Sequence, residues 1–285
     1  MQHNYFMAKI TDWKHFWVSL ISKVLAAIIA VAMVLYSGLV FDHQNLQWIP
    51  DYKQKSLEEI ILKTELSQED YDIIYQQTGV TKIGVDELIN HGKMSLLTNL
   101  QKQLFERKEV LTDMFAPFVC QHEIGESLET VPLQNGDIIV TDTTHLSFFK
   151  IGHAAMVVEA KNGLVLNAIG YDSKSKVMSI DEIVNRPNMI ILRPKLSNEK
   201  SQEVVYYALT VFHNKEYSIT VGILSDKFPD EIQKTHCSHI IWAAYKHAGI
   251  DLDANGGAVV MPMDLVGSEH VDVIQIYGFD LDLYK

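Results

Sequence analysis

The stretch Lys150-Ile-Gly-His-Ala-Ala-Met-Val-Val-Glu-Ala-Lys-Asn-Gly-Leu-Val-Leu-Asn-Ala-Ile-Gly170 decides the fold. Two apolar runs, residues 154–160 and 164–169, flank Lys161-Asn162-Gly163. An apolar pair around Asn-Gly predicts a β-hairpin. Upstream, Asn135-Gly136-Asp137 reads as a turn into a strand over 138–141. Downstream, 177–180 and 189–193 read as strands with a helical turn at 181–185 between them. Residues 202–213 and 235–247 are amphipathic or apolar helices, the second ended by Gly249 in a position suited to a left-handed cap. Strands and helices in this order predict an α+β domain with an antiparallel sheet.

The preceding region reads as helical from 55 to 130. Ser67-Gln-Glu-Asp70 has the form of a helix N-cap with an acid three residues on, and Gly79 looks like its stop. Residues 85–89 form a short helical turn. Over 94–115, Leu96, Leu97, Leu100, Leu104, Leu111, Met114 and Phe115 recur at spacings of three and four, which predicts one amphipathic helix. We expect a helical arm packed on the sheet domain, with no chemistry of its own.

Residues 24–41 contain no charge over 18 positions, about the minimum that crosses ~30 Å of hydrocarbon. The run extends back to Phe16 if Lys23 snorkels. Trp13, Trp17 and Trp48 lie near its ends, as interface aromatics do. A cleaved signal would have a shorter apolar region followed by an Ala-x-Ala-like site, and Leu35-Tyr36-Ser37-Gly38 offers no small residue at −3. Lys9, Lys14 and Lys23 precede the run, whereas Asp42 and Asp51 follow it. The positive-inside rule then keeps residues 1–23 in the cytoplasm, spans the membrane with 24–41 and exports the rest. The expected organisation is therefore a cytoplasmic segment (1–23), an anchor (24–41), a helical arm (42–130) and a catalytic domain (131–285).

Composition excludes several function classes. A net charge of −12, with no basic patch, argues against a nucleic-acid partner. Cys120 and Cys237 are the only cysteines, which excludes a disulfide framework while leaving one bridge open, and there is no Cys-x-x-Cys pair for zinc or redox work. His236, Cys237, His239 and His153 match no standard zinc spacing, and no cofactor is expected.

The second informative stretch is Thr235-His-Cys-Ser-His-Ile-Ile-Trp-Ala-Ala-Tyr-Lys-His-Ala-Gly249. A cysteine attacks as thiolate, and a helix N-terminus or a nearby imidazole lowers its pKa. Cys237 stands at such a terminus, where its own backbone N–H also offers an oxyanion donor. A free cysteine is more commonly a small buried hydrophobe, and that alternative stays open on local sequence alone. His236, His239 and His145 compete with His153 for the role of base. Neighbours on one helix end do not share a face, so the base is expected from another element, which favours His153. Asn167, polar within an apolar strand, is the candidate to orient the imidazole, with Glu159 as a weaker one nearer the turn.

Together these motifs resemble the circularly permuted papain-like amidases of the NlpC superfamily, the YaeF/YiiX group. The matching stretches are Gly136-Asp137-Ile-Ile-Val, Gly152-His153-Ala-Ala-Met-Val and Val165-Leu-Asn167-Ala. They continue as His236-Cys237-Ser238-His239-Ile-Ile-Trp-Ala-Ala-Tyr245, Gly249-Ile-Asp-Leu252 and Met261-Pro262-Met-Asp264-Leu. The order, histidine before cysteine, is the reverse of papain's, and the likeness spans about residues 132–275. It implies a permuted papain-like antiparallel sheet with Cys237 as nucleophile, His153 as base and Asn167 at the third polar position. Two positions depart from the group, where the third residue and the residue two after the cysteine are often glutamate; here they are Asn167 and His239.

The expected function is a membrane-anchored cysteine hydrolase that cuts an amide bond through an acyl-enzyme. The family and location imply a cell-wall substrate, a peptidoglycan stem peptide. Two alternatives stand beside it. One is lipid-directed acyl transfer or thioesterase action, since lecithin:retinol acyltransferase uses the same histidine-then-cysteine order. The other is a catalytically silent binding module of the same fold.

Overall fold

The computed structural model describes residues 13, 16–33, 47–115, 118–123, 127–146 and 149–284. The chain divides into two compact units, Met1–Asn45 and Leu46–Lys285. In the first, helix α1 (Phe16–Met33) is long and apolar enough to cross a membrane. It covers the backward extension of the expected anchor, while residues 34–41 lie outside the described ones.

The second unit opens with four helices: α2 (Glu58–Ile61), α3 (Gln68–Thr78), α4 (Lys82–Asn90) and α5 (Leu96–Phe105). Strands β1 (Val110–Phe115), β2 (Phe118–Glu123), β3 (Ile138–Thr141), β4 (Thr144–Leu146), β5 (Phe149–Lys150), β6 (His153–Glu159), β7 (Leu164–Asn167) and β8 (Lys176–Ser179) follow. Then come α6 (Asp181–Val184), β9 (Met189–Pro194), α7 (Asn198–Phe212), β10 (Glu216–Tyr217) and β11 (Lys234–Thr235). Helices α8 (Cys237–His247) and α9 (Pro262–Val266) and strand β12 (Val271–Tyr277) complete the order.

Six strands make the main sheet in the order β12-β9-β3-β6-β7-β8, every pair antiparallel. The architecture is α+β. Alternate residues divide the sheet between two cores, as a period of two requires. Val140, Ala154, Met156, Leu166, Ile190 and Leu192 face the core shared with α7 and α8. Ile139, Ala155, Val157, Val165 and Ile191 face the core shared with Ile74, Val85, Leu88, Leu97 and Leu100 of the helical region. The sheet is buried on both faces, which is why its strands read as continuous apolar runs.

Local signals shape the elements. Ser67 and Asp70 form a reciprocal capping box on α3, and Gly79 ends that helix at φ 72°. The β6–β7 hairpin turns through a short 3₁₀ segment to Gly163 at φ 62°. Helix α7 begins four residues earlier than the sequence pattern indicates, because Ser197 caps it by accepting from Lys200 N–H.

One expectation needs correction. The predicted helix over 94–115 ends at Phe105, and residues 110–115 are strand β1, paired antiparallel with β2. The arm is therefore not helical to residue 130. Leu111 fits the helical spacing only by coincidence: it is 46% exposed, so it belongs to no core stripe. From Lys108 to Asp113 burial alternates with period two, the signature of a half-covered strand. Strand β12 escaped the sequence reading altogether.

A buried ion network ties the helical region to the sheet. Arg193 of β9 donates from Nε to Asp137 Oδ1 at 2.9 Å and from Nη2 to Asp137 Oδ2 at 2.7 Å. Its Nη1 lies 2.7 Å from Glu87 Oε1 on α4. Such bidentate pairs are strong, and breaking one leaves a buried charge unmatched. The Gly-Asp motif is thus a structural joint. We predict that Asp137→Ala lowers the unfolding free energy by ~3–5 kcal/mol in a urea titration. A loss below ~1 kcal/mol would mean that the pair behaves like an exposed one.

Candidate active site

Cys237 is the first residue of α8, and His153 is the first residue of β6. The backbone reasons are local. Gly152 has φ +67°, and a Cβ there would sit 2.7 Å from Thr141 O and 3.4 Å from the Pro262 side chain. Only glycine lets the chain enter β6 this close to the end of β3. Thr141 and His153 are then register partners.

On the helix side, His236 is the N-cap, its Nδ1 accepting from His239 N–H at 3.4 Å. Ser238 Oγ donates to Val260 O at 2.7 Å, which fixes the start of α8 to the loop before α9. Met261-Pro262-Met-Asp264 places proline at the first helical position, and Asp264 Oδ2 accepts from Met261 N–H at 2.7 Å. These motifs do positional work around the cysteine.

The start of α8 meets the head of β6. The backbone N–H of Ala154, the residue after His153, acts on Cys237 Sγ and favours its thiolate. The N–H groups of Cys237 and Ser238 and the Ser238 hydroxyl also act on the sulfur. Amides that favour an anion at Sγ are suited to favour an oxyanion formed next to it. The Cys237 amide was expected from the sequence. The Ala154 amide was not, and no sequence signal marks it, since it depends on a contact between distant elements.

Asn167 ends β7, 2% exposed, on the face of the sheet to which His153 belongs by strand alternation. Its side chain contacts the imidazole and favours the protonated ring. Asn167 Oδ1 nonetheless lacks a hydrogen bond of good geometry. We read the contact as an off-angle one, polar in effect but short of a full bond. Glu159 is exposed at the far end of β6 and takes no part.

The competing histidines near the cysteine have structural duties. His239 Nε2 donates to Lys227 O at 2.9 Å, which leaves Nδ1 to accept from Thr235 Oγ1 at 2.9 Å. His236 is used as the helix cap. His145 lies on β4, in register with Val119 and Lys150 in a separate four-stranded sheet.

The protonation states differ from the sequence expectation of a depressed thiol pKa. Burial pushes the Cys237 thiol up, and the surrounding amide donors offset this only in part. Burial, followed by the Arg186 guanidinium, lowers His153 to about 3, against the raising influence of Asn167. At rest the thiol and the imidazole are therefore both neutral. Helix position and imidazole act locally, but exclusion of water by the whole domain is the larger effect. Two further groups that the sequence did not flag reach the pair: Arg186 through His153, and Tyr217, whose phenol is raised by burial and then by Cys237.

Scanned against protein-family models the chain matches none, and a search of curated proteins finds no match.

Three buried histidines give the fold an acid limit. His153 and His236 are lowered to about 3 and His239 to about 4, burial being the first cause in each. All three stay neutral when folded, whereas the unfolded chain protonates them below the ordinary value of 6.5. Their contribution is complete above that value and is lost as pH falls from it toward 4. Each adds up to ~1.4 kcal/mol per pH unit in that window. We predict that unfolding free energy falls steeply between pH 6.5 and 4 in urea titrations, and that His239→Gln flattens the slope. An unchanged slope would remove His239 from this account.

Proposed function

We propose that this chain is a membrane-anchored cysteine hydrolase of the permuted papain-like kind, cutting an amide bond through an acyl-enzyme on Cys237. The observation that carries the reading is the contact of Cys237 Sγ with the Ala154 amide, next to His153. It sets the thiol against the backbone next to His153, with amide donors acting on the sulfur.

Because both groups rest neutral, the reaction begins as base-assisted addition. Cys237 Sγ bonds to the carbonyl carbon while its proton passes to the His153 ring, and the carbonyl electron pair moves to oxygen. The amides of Cys237 and Ala154 receive that oxyanion. Collapse breaks the C–N bond, and His153 returns the proton to the leaving amine. Water then attacks the thioester with His153 again as base, releasing the acid and restoring the thiol. Asn167 orients the ring. As an amide it adds no charge against the imidazolium, so the gain from this third residue is smaller than a carboxylate would give.

Helix α1 supplies the anchor, with the lysine-bearing N-terminus in the cytoplasm and the catalytic unit outside. An exported amidase held at the membrane meets peptidoglycan stem peptides, which we propose as the substrate.

The test is intact-mass detection of an acyl adduct after mixing with p-nitrophenyl acetate. The wild-type protein should acquire and then shed one acetyl group. Cys237→Ala should acquire none at that site, and His153→Ala should acylate roughly 10²–10⁴-fold more slowly. An adduct that persists without Cys237, or a rate indifferent to His153, contradicts the proposal. Partition of the acyl group to an added amine in preference to water would redirect the reading to acyl transfer.

A further inference from the structure

Away from Cys237, two cavities share one wall. The first, about 500 Å³, lies between α3 and the start of α4 and is lined by Tyr71, Tyr75, Gln76 and Tyr284 among others. The second, about 630 Å³, is lined by Trp48, Tyr52 and the same Gln76. The C-terminal turn Leu281–Tyr284 contributes to both, through Tyr284 on one side and Leu281 and Asp282 on the other. The two cavities adjoin at Gln76 and the C-terminal turn, and each is within the size range of ligand sites.

The groove is built to hold its aromatic rings still. Tyr75 donates from its hydroxyl to Leu281 O at 2.7 Å, fixing the C-terminal turn to α3. Tyr52 donates to Gln76 O at 2.5 Å, and Tyr71 donates to Asp86 Oδ1 at 2.8 Å. Burial first, then nearby carboxylates, raises Tyr75 to about 12, so its phenol stays neutral. The Gln76 side chain is exposed, and Asp72 Oδ1 accepts from Gln68 Nε2 at 2.9 Å.

The lining chemistry selects a ligand class. The first compartment contains no aliphatic side chain, so a lipid tail finds no wall of its own kind. A phosphate would find one cation there, Lys82, which is already set 3.8 Å over the Tyr71 ring and 3.5 Å from Asp86. What remains in that compartment is aromatic rings beside primary amides and a carboxylate; the second adds Trp48 and Tyr52 together with Leu281, Lys53 and Lys55. Aromatic faces accept the C–H face of a pyranose, while amides donate and accept at once and so match adjacent hydroxyls.

We propose that this groove binds a glycan, a neutral chain of hexose or N-acetylhexosamine rings, with rings stacked on the tyrosines and hydroxyls held by Gln76. The site is separate from Cys237 and does not depend on the hydrolase reading. Should both stand, the cell-wall polymer would be gripped by its sugar chain while its peptide is cut.

The experiment is calorimetric titration of the full chain, in a detergent free of sugar headgroups, with the β-1,4-linked tetrasaccharide of N-acetylglucosamine. Saturable binding is expected, with quenching of tryptophan fluorescence that Trp48→Phe removes. Tyr284→Ala and Gln76→Ala should each weaken affinity about tenfold, ~1.4 kcal/mol. Tyr206→Ala, at a tyrosine 74% exposed on α7, should leave it unchanged. If Tyr284→Ala loosens the fold, Gln76→Ala decides, because its side chain is exposed. Absence of saturable binding, or groove variants that bind like wild type, would overturn the proposal while leaving the acylation test of Cys237 intact.

Discussion

Burying the start of a helix against the head of a strand leaves backbone N–H groups that water cannot reach, and each must find an acceptor nearby. At the seam between α8 and β6, side chains supply those acceptors: His236 Nδ1 takes the His239 amide, and the Ala154 amide acts on Cys237 Sγ. The residues that satisfy the seam are also the ones with chemical capacity. Helix α8 is buried from Cys237 to Tyr245, so the seam cannot relax toward solvent without disturbing the core. Tyr245 extends the lock to the opposite end of β3 by donating to Gly136 O at 2.7 Å. The catalytic proposal follows from this constraint, since a sulfur surrounded by amide donors is already in an environment suited to an oxyanion.

The same burial sets the electrostatics. A thiolate–imidazolium pair in a dry seam would need strong compensation, and the groups present do not provide it. Arg186 works against the imidazolium, and Asn167 supports it only as an amide. Both groups therefore carry no charge at rest, and the reaction we propose separates charge only when a carbonyl arrives to accept it. The helical region shares in this dryness, because Ile74, Val85, Leu97 and Leu100 seal the second face of the sheet. Asp137, Arg193 and Glu87 hold that seal at one point.

What could be read from the sequence divides along the range of the interaction. The capping box of Ser67 and Asp70, the stop at Gly79 and the hairpin around Gly163 are decided within a few residues, and each was legible. The strand at 110–115 was not, because Leu111 and Met114 satisfy a helical spacing while their pairing partner lies in β2. Strand β12 was missed because its identity rests on β9, some 80 residues away. In the site, Cys237, His153 and Asn167 could be proposed from residue type, and the structure sets Asn167 against His153 and the start of α8 against the Ala154 backbone. The direction of the thiol pKa was not, because it depends on how completely the whole domain excludes water. The Ala154 amide and Arg186 carry no sequence signature at all.

The most direct measurement is the pH profile of single-turnover acylation of Cys237 by an activated ester, for wild type and for His153→Gln. A neutral pair with a buried base predicts a wild-type rate that is nearly level across neutral pH. The variant should lose that plateau and react in proportion to thiolate, rising through the alkaline range. Coincident profiles for the two proteins would show that His153 takes no proton from Cys237, and the account of a base-assisted nucleophile at this seam would be wrong.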